Sequence, residues 1–481
     1  MSDDPSPVVV WFRRDLRLRD NPALREAVES GCPVVPLYIL DEAADGRPLG
    51  GASKWWLEKS LQALGEDLKQ AGAPLILRRG PAEAVLREGL KDSGARRVFM
   101  NRRFEPAAFE ADKDIAHALE GDDIQCRGFN ACLLARPGSV TTQSGGPYKV
   151  FTPFYRALVE QLGDPIERPA PREIRGCPGI DSEDLEDWCL YDGRPDWAAG
   201  FDADAVGEAA AARRLRDFID TDLKDYGTSR DRPGVAGTSR LSPALHWGEI
   251  SPWRVWIEVR AAVADGKVTD GQADAFLREI GWREFSAHLL HQFPTLPEAN
   301  FQDKFDAFPW ATNQKALEAW QRGQTGYPMV DAGMRELWAT GWMHNRVRLV
   351  VASFLVKHLR IDWREGEGWF WDTLVDADLA SNSQNWQWVA GSGADAAPYF
   401  RIFNPVSQGT KFDAEGRYVR KWVPELARMP DRWLHNPWDA PPEVRADAGV
   451  QLGRNYPRPI VDHAEARDAA LAAFKSLGNE G

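Results

Sequence analysis

Residues 374–405 read LVDADLASNSQNWQWVAGSGADAAPYFRIFNP, a stretch dense in groups that could hold a planar ligand. Asp376 and Asp378 flank Ala377, free amides include Asn382 and Gln387, and Trp386 and Trp388 stand two apart. Small residues permit close approach, amides and carboxylates meet ring heteroatoms, and indoles pack on a plane or pass electrons. A tryptophan-rich core loop would have the same composition, so the stretch by itself leaves both readings open.

Three further constellations could supply partners. In Gly237-Thr238-Ser239-Arg240-Leu241-Ser242-Pro243, hydroxyls, a backbone turn and an arginine suit a phosphate at a helix start, and Tyr226 could pack over the same ligand. An ordinary N-cap is the alternative. Glu279, Trp282 and Arg283 fall at i, i+3 and i+4 on a helical face, where an aromatic beside a cation and an acid could stack on a base. A core tryptophan beside a surface ion pair is the alternative. In Gly341-Trp342-Met343-His344-Asn345-Arg346-Val347-Arg348, Arg348 lies off the apolar stripe and needs a carboxylate or phosphate. Asp376 or Asp378 would serve. Asn345 and Arg346 could meet a phosphodiester backbone, or merely cap and be solvated.

The elements that must place these groups fall into two kinds. Val8-Val9-Val10-Trp11-Phe12, residues 34–40, Leu75-Ile76-Leu77 and Val98-Phe99-Met100 are short apolar runs, and Leu57, Leu61, Leu64 and Leu68 between them follow helical spacing. This βαβ pattern predicts a Rossmann-like parallel sheet over 1–130. The first strand runs into Arg13-Arg14-Asp15-Leu16-Arg17-Leu18-Arg19-Asp20 instead of a glycine-rich phosphate turn, so that charge run is assigned a structural role. Residues 131–204, rich in proline, glycine and acids (165–171, 181–187), predict a partly ordered connection. From 205 to 481 the period is helical: Leu215, Phe218, Ile219 and Leu223, then Val347, Val350, Val351, Phe354, Leu355 and His358. A last helix is expected near 463–476.

At 481 residues and 27% charged, with no long apolar run, the chain reads as a multidomain protein with no membrane span. The polar start MSDDPSP carries no signal peptide, so a cytoplasmic location is expected. A net charge of −13 opposes a generally basic nucleic-acid coat without excluding a local basic patch. Cys32, Cys126, Cys132, Cys177 and Cys189 are odd in number and widely spaced, and only His288 and His291 come close among the histidines, so no disulfide framework and no metal site is expected. All tryptophans but Trp11, Trp55 and Trp56 lie at or after Trp188. They could form a bulky core, or serve stacking or electron transfer.

Trp11-Phe12-Arg13-Arg14-Asp15-Leu16-Arg17-Leu18, the 237–243 turn, Trp282-Arg283-Glu284-Phe285, Gly326-Tyr327-Pro328-Met329-Val330-Asp331-Ala332, residues 342–346 and the whole 376–405 stretch together resemble the DNA photolyase/cryptochrome family, in the family's order. The likeness is greatest to bacterial cyclobutane pyrimidine dimer photolyases. The resemblance implies an α/β antenna domain, an all-α C-terminal domain holding FAD, and light-driven repair of damaged DNA by a monomer. It further implies that Tyr226, Thr238, Ser239, Arg240, Leu241, Ser242, Asp376, Ala377 and Asp378 bind FAD, that Arg348 pairs with Asp376, and that Asn382 faces the flavin N5. Trp386, Trp363 and Trp310 would relay electrons. Glu279, Trp282, Arg283, Asn345, Arg346 and Trp388 would contact the flipped dimer or its backbone.

Some residues depart from the family pattern. Asn101-Arg102-Arg103-Phe104-Glu105-Pro106-Ala107-Ala108 has alanines where a folate-binding relative would carry an Asn-Glu pair, so a folate, a deazaflavin, a flavin mononucleotide or no second chromophore stay open. Leu349 and Ser383-Gln384-Asn385 also differ. A cryptochrome photoreceptor is a rival, opposed by Asn382 and by the lack of a C-terminal extension. A (6-4) photolyase is another, opposed by His344 having no second histidine beside it.

Overall fold

A computed structural model describes residues 6–42, 46–163, 168–396 and 400–477. The first five residues of the polar start, residues 165–167 of the proline-rich run and Tyr399 lie outside the described residues. The chain divides into two compact units. The first takes its described residues from 1–195, 202–224 and 239–294, the second from 196–201, 225–238 and 295–481.

The first unit is built on a parallel sheet of β1 (Val8–Phe12), β2 (Val34–Leu40), β3 (Ile76–Arg79), β4 (Arg97–Asn101) and β5 (Gln125–Phe129), in the order β3-β2-β1-β4-β5. β1 is central and wholly buried, with Val8 opposite Val34 on one side and Arg97 on the other. Helices must cover both faces of such a sheet, which is why β1 and β2 are continuous apolar runs. Helix Gly51–Gln70 buries Leu57, Leu61, Leu64 and Leu68, as their spacing predicts. β3 starts one residue later than expected and ends in Arg78 and Arg79. β5 is an edge strand of mostly part-exposed residues with Gln125 and Gly128 in it, so it lacked the apolar run that marks the others.

The 131–204 stretch contains helix Phe151–Gln161, and it docks on β2, where Val34 N donates to Arg175 O at 2.8 Å and Cys177 N to Val34 O at 3.2 Å. The period does turn helical near 205. Yet helices Glu208–Thr221, Pro252–Ala264 and Asp270–Gln292 belong to the same compact unit as the sheet. The 13–20 charge run is the reason. The Arg17 guanidinium is buried and donates to the carbonyls of Arg19, Asp20, Ala131 and Gly248 at 2.8–3.1 Å. Leu18 N and Arg19 N donate to the Glu208 carboxylate at 2.7 and 3.1 Å. The charge run thus takes the structural role assigned to it, as a clamp within this unit.

In the second unit every named element is a helix. Helices Pro328–Thr340, Asn345–Ser353, Trp363–Thr373 and Leu379–Ala390 surround a core that includes Trp320, Val347, Val351, Phe354, Leu355, Trp363 and Trp386. Asn345–Ser353 continues through a π-turn at Phe354–His358, which keeps the predicted stripe buried. The expected last helix spans His463–Ser476. No helix among the described residues is long and apolar enough to cross a membrane.

Arg17→Ala strips donors from four backbone carbonyls and is expected to lower the unfolding free energy by on the order of 3 kcal/mol in a denaturant titration. Arg17→Lys should recover only part of it, because an ammonium lacks the planar fork.

Candidate functional site

Helix Leu379–Ala390 starts where Asp378 accepts a hydrogen bond from Ser381 N at 2.7 Å, an ordinary N-cap. That role leaves Asp376 as the partner of Arg348. Arg348 Nη2 donates to both Asp376 oxygens at 2.9 and 3.1 Å, and its Nε donates to Met343 O at 2.8 Å. Asp376 is only 7% exposed. A carboxylate so enclosed needs its cation, and the arginine is held in place from behind by a carbonyl.

The pair stands on the wall of a pocket of about 560 Å³. Arg348, Asp376, Ala377, Asn382 and Trp386, all singled out in the sequence, line it together with Asn345. Leu349, Ala352, Phe370 and Val389 supply apolar wall, and Ser381 and Asn385 add polar groups. Asn382 Nδ2 donates to the Glu367 carboxylate at 2.8 Å and to Glu367 O at 3.1 Å. Both amide protons are thereby spent, so the group Asn382 has left to offer is its carbonyl oxygen, an acceptor. A charged pair at one place, a fixed amide at another and apolar walls between them fit a flat heteroaromatic ring with polar edges, as in a flavin.

Trp386 is 2% exposed, with Phe370 at 5.0 Å and Trp320 at 6.2 Å between ring centroids. Gly366 makes this packing possible, because a Cβ there would overlap the Trp386 ring and come within 2.6 Å of Leu355 Cδ2. Trp363 is fully buried and donates from Nε1 to Asn300 Oδ1 at 3.0 Å, and the half-buried Trp310 rests 4.4 Å from Phe308. All three indoles pack in or against one core cluster.

Trp388 does not line this pocket, and its Nε1 donates to Asp395 O at 3.0 Å. Arg346 pairs with Asp231 at 2.9 Å and lies 4.6 Å over the Phe412 ring, so part of its charge is already matched. Asn345 is exposed. Tyr226 is buried at the start of a short turn, with Arg230 5.3 Å from its ring. In the 237–243 turn Arg240 adopts φ 50° and Ser239 Oγ accepts from Leu241 N at 3.4 Å. The next helix begins at Ser242 with Leu241 as its cap and no side-chain cap bond, so the ordinary N-cap alternative does not describe this turn. Thr238 closes one segment of the second unit, and Ser239, Arg240, Leu241 and Ser242 belong to the first.

In the first unit, Glu279, Trp282 and Arg283 lie on helix Asp270–Gln292. Arg283 donates to Cys132 O at 2.7 Å and Leu245 O at 3.2 Å. The adjoining Glu284 is fully buried and accepts from Leu134 N and Ala135 N; burial pushes its carboxyl up to about 7. A second pocket, of about 660 Å³, opens where β1 meets the charge run. Trp11, Arg13, Arg14, Tyr38, Arg47 and Arg103 are among its lining, and Trp11 Nε1 and two Arg13 nitrogens are buried there without a hydrogen-bond partner among the described residues.

Sequence reasoning passed over Glu367 and Phe370. Their signal was present in Trp363, Gly366, Glu367 and Phe370, whose i, i+3, i+4, i+7 spacing marks one helical face. Leu349 and Asn385, noted only as departures, are pocket wall.

Family models match the chain twice, as DNA photolyase over residues 8–172 and as the FAD binding domain of DNA photolyase over residues 276–476. The chain belongs to the DNA photolyase/cryptochrome family. It is 51% identical over 480 residues to the deoxyribodipyrimidine photo-lyase of Agrobacterium fabrum, covering 99% of each chain. It is 40% identical over 471 residues to cryptochrome-1 of Arabidopsis thaliana, covering 95% of this chain and 69% of that one. The crystal structure of a class III photolyase from Agrobacterium tumefaciens superposes with a TM-score of 0.96 at 50% identity, covering 99% of each chain. The pocket around Arg348 and Asp376 thus lies within the stretch matched as the family's FAD-binding domain.

Gly366→Ala is expected to destabilise this family member by about 1–3 kcal/mol in chemical denaturation, the usual cost of overpacking. Combined with Trp386→Leu, which vacates the overlapped volume, the costs should be less than additive.

Proposed function

We propose that this chain, an enzyme of the photolyase class, repairs cyclobutane pyrimidine dimers in DNA under blue or near-UV light. The observation that carries the reading is the single pocket joining the Arg348–Asp376 pair, the oriented Asn382 amide and Trp386 within the stretch that matches an FAD-binding domain. Reduced FAD, when bound, supplies a photoexcited electron to the cyclobutane ring and regains it once the ring has split, so there is no net redox change.

The chain's own residues do the rest. Arg348, neutralised by Asp376, holds a cation beside the ring without leaving an unpaired buried charge. Asn382, its amide protons taken by Glu367, would offer its carbonyl oxygen as an acceptor to the N5 edge and so tune a proton held there. Ala377 allows close approach, while Asp378, Tyr226 and the turn of Thr238, Ser239, Arg240, Leu241 and Ser242 match the family's remaining FAD contacts. Trp386, Trp363 and Trp310 relay electrons from outside when the cofactor must be reduced. Glu279, Trp282, Arg283 and Trp388 match the family's contacts to the flipped dimer, and Asn345 and Arg346 its backbone contacts. Lesions leave the stack more easily than intact pairs, and phosphate contacts add binding that ignores sequence and weakens with salt. A second chromophore would find an aromatic, cationic pocket at Trp11 and Arg13; a folate, a deazaflavin and a flavin mononucleotide all have the planar ring such a site takes. The protein would act as a cytoplasmic monomer on damaged DNA.

The 40% identity to a plant cryptochrome favours photoreception as a second reading. One assay separates the two. Thymine-dimer oligonucleotides incubated with the reduced holoprotein should revert to monomers under blue light and not in the dark. Dark repair contradicts the mechanism, and no repair with intact reduced flavin favours the receptor.

A further inference from the structure

Trp282 lies face to face with Phe151, ring centroids 3.7 Å apart and planes at 8°. The stack is held from several sides. Helix Phe151–Gln161 packs along helix Asp270–Gln292, and Gly281, just before Trp282, lets them approach: a Cβ there would overlap Tyr155 Cδ2 and come within 2.7 Å of Cε2. Tyr155 stacks on Phe151 at 5.6 Å and its hydroxyl donates to Asp274 at 3.1 Å. Phe285 meets Phe151 and Trp282 edge-on at 5.9 and 5.8 Å, and the Arg278 guanidinium lies 5.1 Å from the Phe151 ring. Phe151 is 1% exposed, whereas Trp282 stays only partly buried. What remains accessible of the indole therefore lies off the stacked face.

We propose that Phe151 is a positioning residue for lesion recognition: by fixing the plane of Trp282 it presents an unstacked pyrimidine pair with a pre-oriented aromatic wall. The inference rests on the lesion-contact reading of Trp282. An indole free to rotate must be ordered when a ligand stacks on it, and that cost comes out of the affinity. An indole already clamped between helices has no such cost left. Stacking on an aromatic face is open to any base out of the helix and closed to a base still inside it. The clamp therefore acts on damaged DNA and leaves phosphate-driven binding to undamaged DNA untouched.

The test is equilibrium binding of dimer-containing and undamaged oligonucleotides of one length, at one salt concentration, to FAD-loaded wild type, Phe151→Leu and Phe151→Tyr. Phe151→Leu is expected to weaken binding to dimer DNA by roughly 3- to 10-fold. It should leave binding to undamaged DNA unchanged, and raise KM for repair without altering the rate at saturation. Phe151→Tyr keeps the ring and should keep the preference. If the leucine variant is too unstable to purify, Phe151→Met, which keeps volume without a plane, carries the same expectation. A preference retained in the leucine or methionine variant, an equal loss for both DNAs, or a tyrosine variant as impaired as leucine overturns the proposal. A wild type with no preference for dimer DNA removes the lesion reading itself and this inference with it.

Discussion

The contact between Arg348 and Asp376 is the constraint on which the pocket of the second unit depends. Asp376 is nearly enclosed, and a carboxylate taken out of water without a cation costs several kcal/mol. Satisfying it ties helix Asn345–Ser353 to the segment just before helix Leu379–Ala390. Those two helices then form two walls of one pocket, and helix Trp363–Thr373 supplies another through Phe370. Gly366 and Glu367 on that third helix set the Trp386 ring and the Asn382 amide. One ion pair with an enclosed carboxylate thus fixes where an indole, an oriented acceptor and a cation stand relative to one another.

The first unit depends on a similar economy of buried charge. Arg17 gathers carbonyls from its own loop, from Ala131 and from Gly248. Glu208 gathers the amides of Leu18 and Arg19. Such contacts hold helices from far along the chain against the sheet, and the same loop leaves Trp11 and Arg13 to line a pocket. Burial shows in the titration of neighbouring groups as well, since Glu249, accepting from Trp56 and Ser60, is pushed up to about 7 by desolvation.

Much of this was legible in the amino-acid order, and the rest was not for identifiable reasons. β1 and β2 were plain because a strand buried on both faces has to be apolar throughout, whereas β5, at the edge, carries Gln125, Arg127 and Gly128. The need of Arg348 for a partner followed from its place off an apolar stripe; spacing left Asp376 and Asp378 both open, the family resemblance pointed to Asp376, and the capping role of Asp378 supplies the physical reason. The unit boundary was hidden because local period reports secondary structure and says nothing about which helix packs where. Trp388 sits two residues from Trp386, hence on another side of the helix, and its indole nitrogen goes to Asp395 O while the Trp386 ring meets Phe370.

We infer that the Arg348–Asp376 pair is what builds the flavin site. Flavin bound per polypeptide, read from the absorption spectrum of purified Asp376→Asn beside wild type, tests it most directly. Flavin content is expected to fall on the order of tenfold, since losing hydrogen bonds to a charged group costs about 1.5–3 kcal/mol, with the helical circular dichroism preserved. Full flavin content in Asp376→Asn would contradict it.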